Sequence, residues 1–203
     1  MYTGIVQGKE SVLSLNKNDG FSTLTVSNHN RFFVGVAVGA SVSINGTCLT
    51  VTKFTEDRVS FDISDFTADS TTLKLLSVED EVNVERSHQM NQENGGHSLY
   101  GHVEGFAEVI EFMPTGETYR LVIRIPEDNI NYFFLKGFIG LHGCSLTINA
   151  IDEENRTLAL NLIPETLRIT NFDKIKVGDF LNYEIDQMTR TIVDTLSRTL
   201  SKK

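Results

Sequence analysis

The sequence has few of the residues that mark secreted, fibrous or membrane-embedded proteins. Its 203 residues include three prolines, two cysteines and no tryptophan. Two cysteines are too few for a disulfide scaffold, and we interpret both as free thiols in a reducing cytoplasm. No run of about 18 apolar residues is present, so we expect no membrane-spanning helix. The first residues lack a basic start and an apolar run, so a signal peptide is not expected.

Basic residues are also few, and several cofactor motifs are missing. The chain has 18 basic against 27 acidic residues and a formal net charge of −9. Nucleic acids and anionic membranes both need a basic face, so neither is expected as a partner. The glycine-rich loops that bind nucleotides and the Gly-x-Ser-x-Gly elbow of hydrolases are absent. His88, His97 and His102 are loosely spaced and no cysteine cluster accompanies them, so no metal site is predicted.

What the sequence does contain is an internal repeat with an offset of 97 to 99 residues. Residues 4–8 (GIVQG) return as 101–105 (GHVEG), 46–51 (GTCLTV) as 143–148 (GCSLTI), and 82–85 (VNVE) as 181–184 (LNYE). Because exposed turns tolerate changes in length, we place the two extra residues in the polar turn 152–155, opposite residues 55–57. A repeat this long indicates a duplicated domain and not a solenoid. If each half binds one small molecule, the protein can bring together two copies of the same ligand.

Short segments of alternating apolar and polar residues give both halves a β character. These segments are residues 22–26, 59–63, 119–125 and 158–162. Such alternation is typical of strands with one buried face, and turn-forming residues separate the segments, which predicts a small sandwich or barrel in each half. The polar stretch 87–96 resembles no packed strand. We therefore predict an N-terminal domain over residues 1–97 and a second domain over residues 98–187.

The end of the chain is the best candidate for a helix and has no counterpart in the first half. Its apolar residues are Ile192, Val193, Leu196 and Leu200. Their spacing is typical of one helix face, so we predict a C-terminal helical segment over residues 188–203. The apolar stripe must be buried against its own barrel or in a symmetric contact between subunits, and the pattern does not choose between the two.

Residues that differ between the two copies are the first candidates for chemistry. His102 lies where the first copy has Ile5, so the scaffold does not require a titratable group there. A histidine can exchange protons near neutral pH, although the local pattern alone favours a surface histidine. Cys48 aligns with Ser145, and both are small residues that can act as nucleophiles. The local pattern alone favours small buried strand residues at these two positions.

A second group of polar residues gives a weaker signal. Lys136 aligns with Val38, and its ordinary role would be that of a solvated lysine at a strand end. Asp186 precedes the terminal helix and is suited to cap its N-terminus. The remaining candidates are Ser41, which precedes a strand, and the repeated threonines Thr50 and Thr147.

Four motifs in combination resemble those of one enzyme family. They are MYTGIV at residues 1–6, NGTCLTV at 45–51, GGHSLYGHV at 95–103 and LIPETL at 162–167. These motifs are similar to those of the riboflavin synthase alpha-chain family, and the resemblance covers essentially the whole chain. It implies an all-β fold of two similar six-stranded Greek-key β-barrels from a tandem duplication, followed by a C-terminal α-helix. It also implies homotrimers, in which the N-terminal barrel of one subunit and the C-terminal barrel of a neighbour form each active site.

The resemblance further implies the reaction. Each barrel would bind one 6,7-dimethyl-8-ribityllumazine, and one molecule would transfer a four-carbon unit to the other. The products would be riboflavin and 5-amino-6-ribitylamino-uracil, in the last step of riboflavin biosynthesis. The 7-methyl group of the substrate is acidic, and His102 is a candidate to assist removal of its proton. No metal, nicotinamide or flavin cofactor is expected, the location is expected to be cytoplasmic, and lumazine synthase is an expected protein partner.

Family roles carry over to the residues that match the motifs. Positions implicated in the chemistry match His102, Cys48, Ser41, Ser145 and Asp186. Ligand contacts expected in the first barrel are Gly4, Ile5, Val6, Cys48, Leu49, Thr50, Asp62, Ile63, Ser64 and Thr67. Those expected in the second barrel are Gly101, His102, Val103, Lys136, Ser145, Leu146, Thr147, Asn161, Leu162, Ile163, Pro164, Glu165 and Thr166.

The first copy departs from the family pattern, which leaves an alternative function open. Residues 164–170 (PETLRIT) have the family form, whereas residues 65–71 read DFTADST, with Phe66 at a commonly acidic position. The alternative is a non-catalytic relative, a lumazine- or flavin-binding antenna protein of luminous bacteria that carries one chromophore. Such relatives tend to lose the pair kept here as Gly101 and His102, and they lack the long terminal helix. Both features favour the enzyme.

Overall fold

Twelve strands form two closed barrels, one in each half of the chain, as the resemblance predicts. The computed structural model describes residues 1–201, so the last two residues of the predicted helical segment 188–203 lie outside the described residues. The first barrel contains β1 (Gly8–Lys17), β2 (Phe21–Ser27), β3 (Ser41–Ile44), β4 (Thr47–Phe54), β5 (Arg58–Ser64) and β6 (Glu81–Arg86). The second contains β7 (Gly105–Thr115), β8 (Thr118–Arg124), β9 (Phe138–Leu141), β10 (Cys144–Asp152), β11 (Thr157–Leu162) and β12 (Phe180–Ile185).

Both barrels have the same antiparallel strand order. The order is β1-β2-β5-β4-β3-β6 in the first barrel and β7-β8-β11-β10-β9-β12 in the second. A short helix follows the fifth strand of each barrel, α1 (Asp65–Ser70) in the first and α2 (Pro164–Ile169) in the second. The inward-facing side chains of each barrel form a separate apolar core. Closure removes the exposed edges that an open sheet would leave.

Bulges occur at matching positions of the two barrels. The pairing register shifts after Val12 in β1 and after Val109 in β7. It shifts again after Val51 in β4 and after Ile148 in β10. Each bulge bends its strand and increases the local twist, which helps a six-stranded sheet to close. The two copies therefore share these bends as well as their strands.

The turn after the fourth strand contains the two extra residues, as predicted. In the first barrel Phe54 pairs with Val59, and four residues lie between them. In the second barrel Ile151 pairs with Leu158, and six residues lie between them. The offset between the copies is therefore 97 before this turn and 99 after it.

The alignment of Lys136 with Val38 was wrong by one residue. Lys136 has a φ of 65° and donates its backbone N–H to the Ile148 carbonyl oxygen at 2.9 Å. Gly39 has a φ of 91° and donates its N–H to the Val51 carbonyl oxygen at 2.8 Å. Gly39 is therefore the counterpart of Lys136. The loop before β3 has no repeated motif that could anchor the alignment.

Two short segments outside the strands run between the barrels, and we call residues 2–6 and 97–103 the crossing segments. They pair with each other where Tyr2 and Leu99 exchange backbone hydrogen bonds of 2.7 and 3.0 Å. The stretch 87–96 contains no strand or helix. The division at residue 97 thus falls within the connection between the barrels, and we retain it as a proposal.

A buried glutamate holds each crossing segment. Glu85, at the end of β6, accepts the N–H groups of Thr3 at 2.6 Å and Gly4 at 3.1 Å. Its copy Glu184, at the end of β12, accepts the N–H of Gly101 at 2.9 Å and that of the preceding residue at 2.7 Å. These bonds satisfy backbone donors that no strand pairs, which explains why the same glutamate is present in both copies.

Polar groups join the two barrels at the centre, where the Asn83 side-chain amide donates to the His142 carbonyl oxygen at 3.0 Å and the Asn182 side-chain amide donates to the Asn45 carbonyl oxygen at 2.8 Å. Asn45 accepts the N–H of Asn83 through its side-chain oxygen at 2.8 Å. In the second copy, His142 accepts the N–H of Asn182 through Nδ1, also at 2.8 Å. His142 is buried, and burial lowers its pKa to about 3. The ring is therefore neutral in the folded protein, and Nδ1 is free to accept.

The terminal helix α3 (Gln187–Leu200) is attached to the second barrel by polar contacts. The Tyr132 hydroxyl donates to Asp194 at 2.5 Å, and Arg190 forms an ion pair with Glu104. The apolar stripe is largely uncovered by its own barrel, because Ile192, Leu196 and Leu200 are 54%, 57% and 68% exposed, whereas Val193 is half-buried. Among residues 1–201, no helix is both long and apolar enough to cross a membrane.

Candidate active site

A cavity of about 440 Å³ opens at the first barrel and combines residues from both halves of the chain. The first half contributes Thr47, Cys48, Phe66, Thr67, Ser70 and Thr71, and the second half contributes Gly101, His102 and Val103. The volume lies within the range of small-molecule sites. The cavity thus brings Cys48 and His102 together.

The crossing segments exchange the ligand contacts that the sequence assigned to each barrel. The N–H of Cys48 in the first barrel donates to the Gly101 carbonyl oxygen at 3.0 Å. The N–H of Ser145 in the second barrel donates to the Gly4 carbonyl oxygen at 2.8 Å. The prediction that residues 4–6 belong to the first-barrel site and residues 101–103 to the second was therefore wrong. Each segment precedes its own barrel in sequence but crosses to the other one.

Cys48 is the thiol of the first-barrel site. Its side chain is half-buried, and its Sγ accepts a hydrogen bond of 3.2 Å from the Tyr2 hydroxyl. Burial raises the pKa of Tyr2 far above its ordinary value, so the phenol keeps its proton and remains a donor. The other thiol, Cys144, is buried in the second core, and burial raises its pKa. Cys48 is therefore the thiol suited to react.

Glycine at position 101 allows the crossing segment to reach Cys48. Gly101 has a φ of +74°, and a Cβ there would lie 2.5 Å from the Cys48 Cβ. A larger residue would clash with Cys48 and displace the crossing segment, including the next residue, His102. His102 is exposed at the cavity, with its ring centroid 6.1 Å from that of Tyr100. It is free to meet a ligand in the cavity.

The second-barrel site has the same backbone arrangement with different side chains. Gly4 has a φ of +73°, and a Cβ there would lie 2.5 Å from the Ser145 Cβ. Ile5 is 47% exposed at the position that matches His102, whereas Val6 packs into the second core. The two sites share a scaffold, but the second has a serine for the cysteine and an isoleucine for the histidine.

His97 also belongs to the second-barrel site, and the sequence did not predict this. Its Nδ1 lies 2.5 Å from the Ser145 Oγ, and its backbone N–H donates to the same oxygen at 3.0 Å. Gly96 makes this approach possible, because a Cβ there would lie 2.2 Å from the Thr3 carbonyl oxygen and 2.8 Å from the Ser145 Cβ. The pair of glycines before His97 was the one available signal.

The other predicted site residues differ in exposure. Leu49, Ile63 and Leu162 are buried in the barrel cores. Half-buried are Ser41, Thr67, Val103, Leu146, Thr166 and Asp186. Exposed are Thr50, Asp62, Ser64, Lys136, Thr147, Asn161, Ile163, Pro164 and Glu165.

Several of these polar side chains already have structural partners. Asp186 caps α3 by accepting the N–H of Thr189 at 2.8 Å, as its position before the helix predicted. Ser64 caps α1 by accepting the N–H of Thr67 at 3.2 Å. Glu165 forms an exposed ion pair with Arg168. Among residues 1–201, no group of three or more histidine, cysteine or acidic side chains is arranged to hold a metal ion.

The sequence matches known proteins along its whole length. The family model described as lumazine binding domain matches residues 3–87 and again residues 100–186. The riboflavin synthase of Escherichia coli (strain K12) is 38% identical, over all of this chain and 95% of the relative. That of Chlamydia pneumoniae is 35% identical, over 99% of this chain and 98% of the relative.

Solved structures of LumP have a similar fold. LumP complexed with 6,7-dimethyl-8-(1'-D-ribityl) lumazine superposes with a TM-score of 0.83 at 27% identity, over 92% of this chain and all of that chain. LumP complexed with riboflavin superposes with a TM-score of 0.85 at 28% identity over the same shares. The duplicated barrels, the paired sites and the full-length identity together show that this chain belongs to the riboflavin synthase family, built from two lumazine-binding domains.

Proposed function

We propose that the protein is a riboflavin synthase, a transferase that acts on two molecules of 6,7-dimethyl-8-ribityllumazine. One molecule transfers a four-carbon unit to the other, giving riboflavin and 5-amino-6-ribitylamino-uracil. Residues 1–97 and 98–187 would form the two lumazine-binding domains, and residues 188–203 the oligomerisation helix. The two free thiols suit a cytoplasmic enzyme.

The strongest support for this function is a difference in side chains between the two copies. The chain repeats one ligand-binding scaffold but equips the two copies differently, with Cys48 and His102 in one and Ser145 and His97 in the other. Two copies of one scaffold suit two molecules of one ligand, and different side chains suit different roles for those molecules. Holding both ligands in a fixed orientation replaces a random collision and can contribute several kcal/mol to catalysis.

The oligomer is part of the proposal. The stripe on α3 that includes Ile192 and Leu196 is exposed in the single chain, although the other side of the helix is fixed to the second barrel. We infer that it packs against other subunits in a homotrimer. The first-barrel site of one subunit would then face the second-barrel site of a neighbour. Lumazine synthase, which would supply the substrate, remains the proposed protein partner.

The experiment is to mix the protein with 6,7-dimethyl-8-ribityllumazine and follow riboflavin by its absorbance. The proposal predicts that riboflavin accumulates with repeated turnover and without added metal or nicotinamide. A protein that binds one chromophore per chain and makes no riboflavin would contradict it. A Cys48→Ser variant provides the internal comparison, since it retains the cavity shape and replaces the thiol.

A second candidate function is chromophore binding without catalysis. The observation that favours it is the solved structures of LumP, whose complexes contain the ribityl lumazine, riboflavin or flavin mononucleotide. In this alternative only one barrel would be filled. Retention of His102 beside Cys48 in the first-barrel cavity favours the enzyme, and the turnover experiment separates the two functions.

A further inference from the structure

Helix α1 has a cavity on each of two opposite faces. Phe66 and Thr67 line the active-site cavity described above. Asp65, Ala68 and Asp69 line another cavity, of about 480 Å³, which we call the α1 cavity. At about 3.6 residues per turn, these two sets of side chains fall on opposite sides of the helix. The α1 cavity is therefore separate from the active-site cavity, and its volume lies within the range of small-molecule sites.

The α1 cavity has an apolar floor and a polar rim. Its apolar lining comes from Leu15, Ile63, Ala68 and Leu73. Two lysines and two aspartates line the rim, so its charges balance, and Lys74 forms an ion pair with Asp69 at 3.5 Å. Ser22 supplies a hydroxyl, which can donate or accept a hydrogen bond. Such a lining suits a neutral molecule with a hydrophobic body and one polar substituent.

The second barrel fills the equivalent space with aromatic side chains. The pairing of β1 with β2 matches that of β7 with β8 residue for residue. Ser22 is thus the counterpart of Tyr119, and Leu15 is the counterpart of Phe112. The rings of Phe112 and Tyr119 stack with centroids 5.2 Å apart and pack against the second core. A serine and a leucine in the first barrel leave the volume of these rings open.

The helical side of the cavity has lost volume in the same way. The short helices correspond at an offset of 99 residues, since α1 begins at residue 65 and α2 at residue 164. Ala68 therefore corresponds to Leu167, and Leu73 corresponds to Phe172. Leu167 packs against the second core, and Phe172 is buried in it. Because protein interiors are normally close-packed, a space that is filled in one copy and open in the other indicates room for a ligand.

We propose that the α1 cavity is a binding site for a small neutral phenol, a molecule with an aromatic ring and a hydroxyl group. The ring takes the place that the stacked rings of Phe112 and Tyr119 have in the second barrel, and it packs against Leu15 and Leu73. Its hydroxyl bonds Ser22 and faces the charged rim. This site lies outside both lumazine sites, so the inference goes beyond the proposed function.

The probe is p-cresol, which is the tyrosine side chain as a free molecule. We expect an NMR titration of the full-length protein to give a dissociation constant of about 1 mM or below. The saturated analogue 4-methylcyclohexanol should bind at least about threefold more weakly, because it lacks the planar ring. Saturating riboflavin should leave p-cresol binding unchanged, because the two ligands lie on opposite faces of α1.

Variants that copy the second barrel test the location of the site. Ser22→Tyr and Leu15→Phe each place a ring in the α1 cavity, and each should weaken p-cresol binding at least about tenfold. Both should keep riboflavin binding, since neither residue lines the active-site cavity. Ser14→Tyr is the matched control, because adjacent strand residues point to opposite faces and its ring lies outside the cavity. It should bind p-cresol like the wild type.

Displacement of p-cresol by riboflavin would place the probe in the active-site cavity and overturn the inference. Unchanged p-cresol binding in folded Ser22→Tyr and Leu15→Phe proteins would also overturn it, as would a wild type that binds no p-cresol at millimolar concentration. Equal affinity for the saturated analogue would contradict the aromatic class of ligand. If Ser22→Tyr does not fold, Leu15→Phe decides the result. No readout involves turnover, so the inference and the proposed function can fail separately.

Discussion

At the scale of single residues, His142 makes stability depend on pH. Its pKa is about 3 in the folded protein and about 6.5 when unfolded, so below pH 6.5 the unfolded chain takes up a proton that the folded chain does not. The free energy of unfolding therefore decreases as the pH falls from 6.5 toward 3, by up to about 1.4 kcal/mol per pH unit. Above pH 6.5 the residue has no such effect.

The copy of His142 provides the matched variant. Asn45 makes the equivalent bond with an amide oxygen that does not titrate in this range. We expect His142→Asn to have similar stability at pH 7.5 and to lose about 2 kcal/mol less than the wild type on acidification to pH 5. Urea denaturation at the two pH values measures this difference. Equal losses in the two proteins would show that His142 is not the cause.

The two thiols should differ in reactivity. Cys48 lies half-buried at a cavity, whereas Cys144 is 4% exposed and burial raises its pKa. We expect iodoacetamide to modify Cys48 at least about tenfold faster than Cys144, because the thiolate is the reactive form and access is required. Mass spectrometry of the single-thiol variants Cys48→Ser and Cys144→Ser compares the rates. Riboflavin should protect Cys48, and equal rates without protection would contradict the position of the cavity.

At the scale of elements, the crossing segments determine which residues share a site. Gly101→Ala would place a Cβ 2.5 Å from the Cys48 Cβ, whereas Gly35 has nearly the same φ of +73° and no atom of the described residues within 4 Å of its Cβ position. Gly35→Ala should therefore show only the backbone cost of about 1–2 kcal/mol. Gly101→Ala should lose more stability and also weaken riboflavin binding. Chemical denaturation and fluorescence titration check both effects, and equal losses in the two variants would contradict the contact.

The exposed stripe of α3 gives a prediction about assembly. We expect Leu196→Glu to produce monomers with intact barrels, because the charge would lie in the proposed subunit contact. Thr191→Glu adds the same charge on another face of the helix and should leave the trimer intact. Sedimentation velocity measures the oligomer, and circular dichroism checks the fold. If the Leu196→Glu protein remained trimeric, this face of the helix would not form the subunit contact.

The sequence predicted those elements whose pattern is local. Period-two alternation identified strands such as residues 59–63, and the repeat placed the insertion in the turn 152–155. It did not predict the exchange of the crossing segments, because each is too short to have a periodic pattern. Their partners, Ser145 and Cys48, lie far away in sequence. Proximity along the chain therefore pointed to the wrong barrel.

His97 and Lys136 were misjudged for related reasons. Comparing the two copies identifies a candidate site residue only where the copies align. His97 lies before the second copy begins, in a connection that has no equivalent in the first copy. Lys136 lies in a loop whose copy has no shared motif, so the alignment slipped from Gly39 to Val38. In both cases, backbone hydrogen bonds located the residue where side-chain similarity did not.

At the scale of the whole molecule, duplication and divergence act together. The barrels share their strand order, their bulges and the glutamates that hold the crossing segments. They differ at the nucleophile and at the group that approaches it, Tyr2 beside Cys48 and His97 beside Ser145. Each crossing segment also makes one barrel dependent on the other. The molecule thus has two related but unequal sites, which suits a reaction between two molecules of one substrate.

The ratio of substrate consumed to product formed distinguishes a reaction between two lumazines from chromophore binding. Lumazine, riboflavin and 5-amino-6-ribitylamino-uracil can be separated by chromatography and measured through one reaction course. We predict that two lumazines disappear for each riboflavin and each pyrimidine that appear. One lumazine consumed for each riboflavin, or binding without any product, would contradict it.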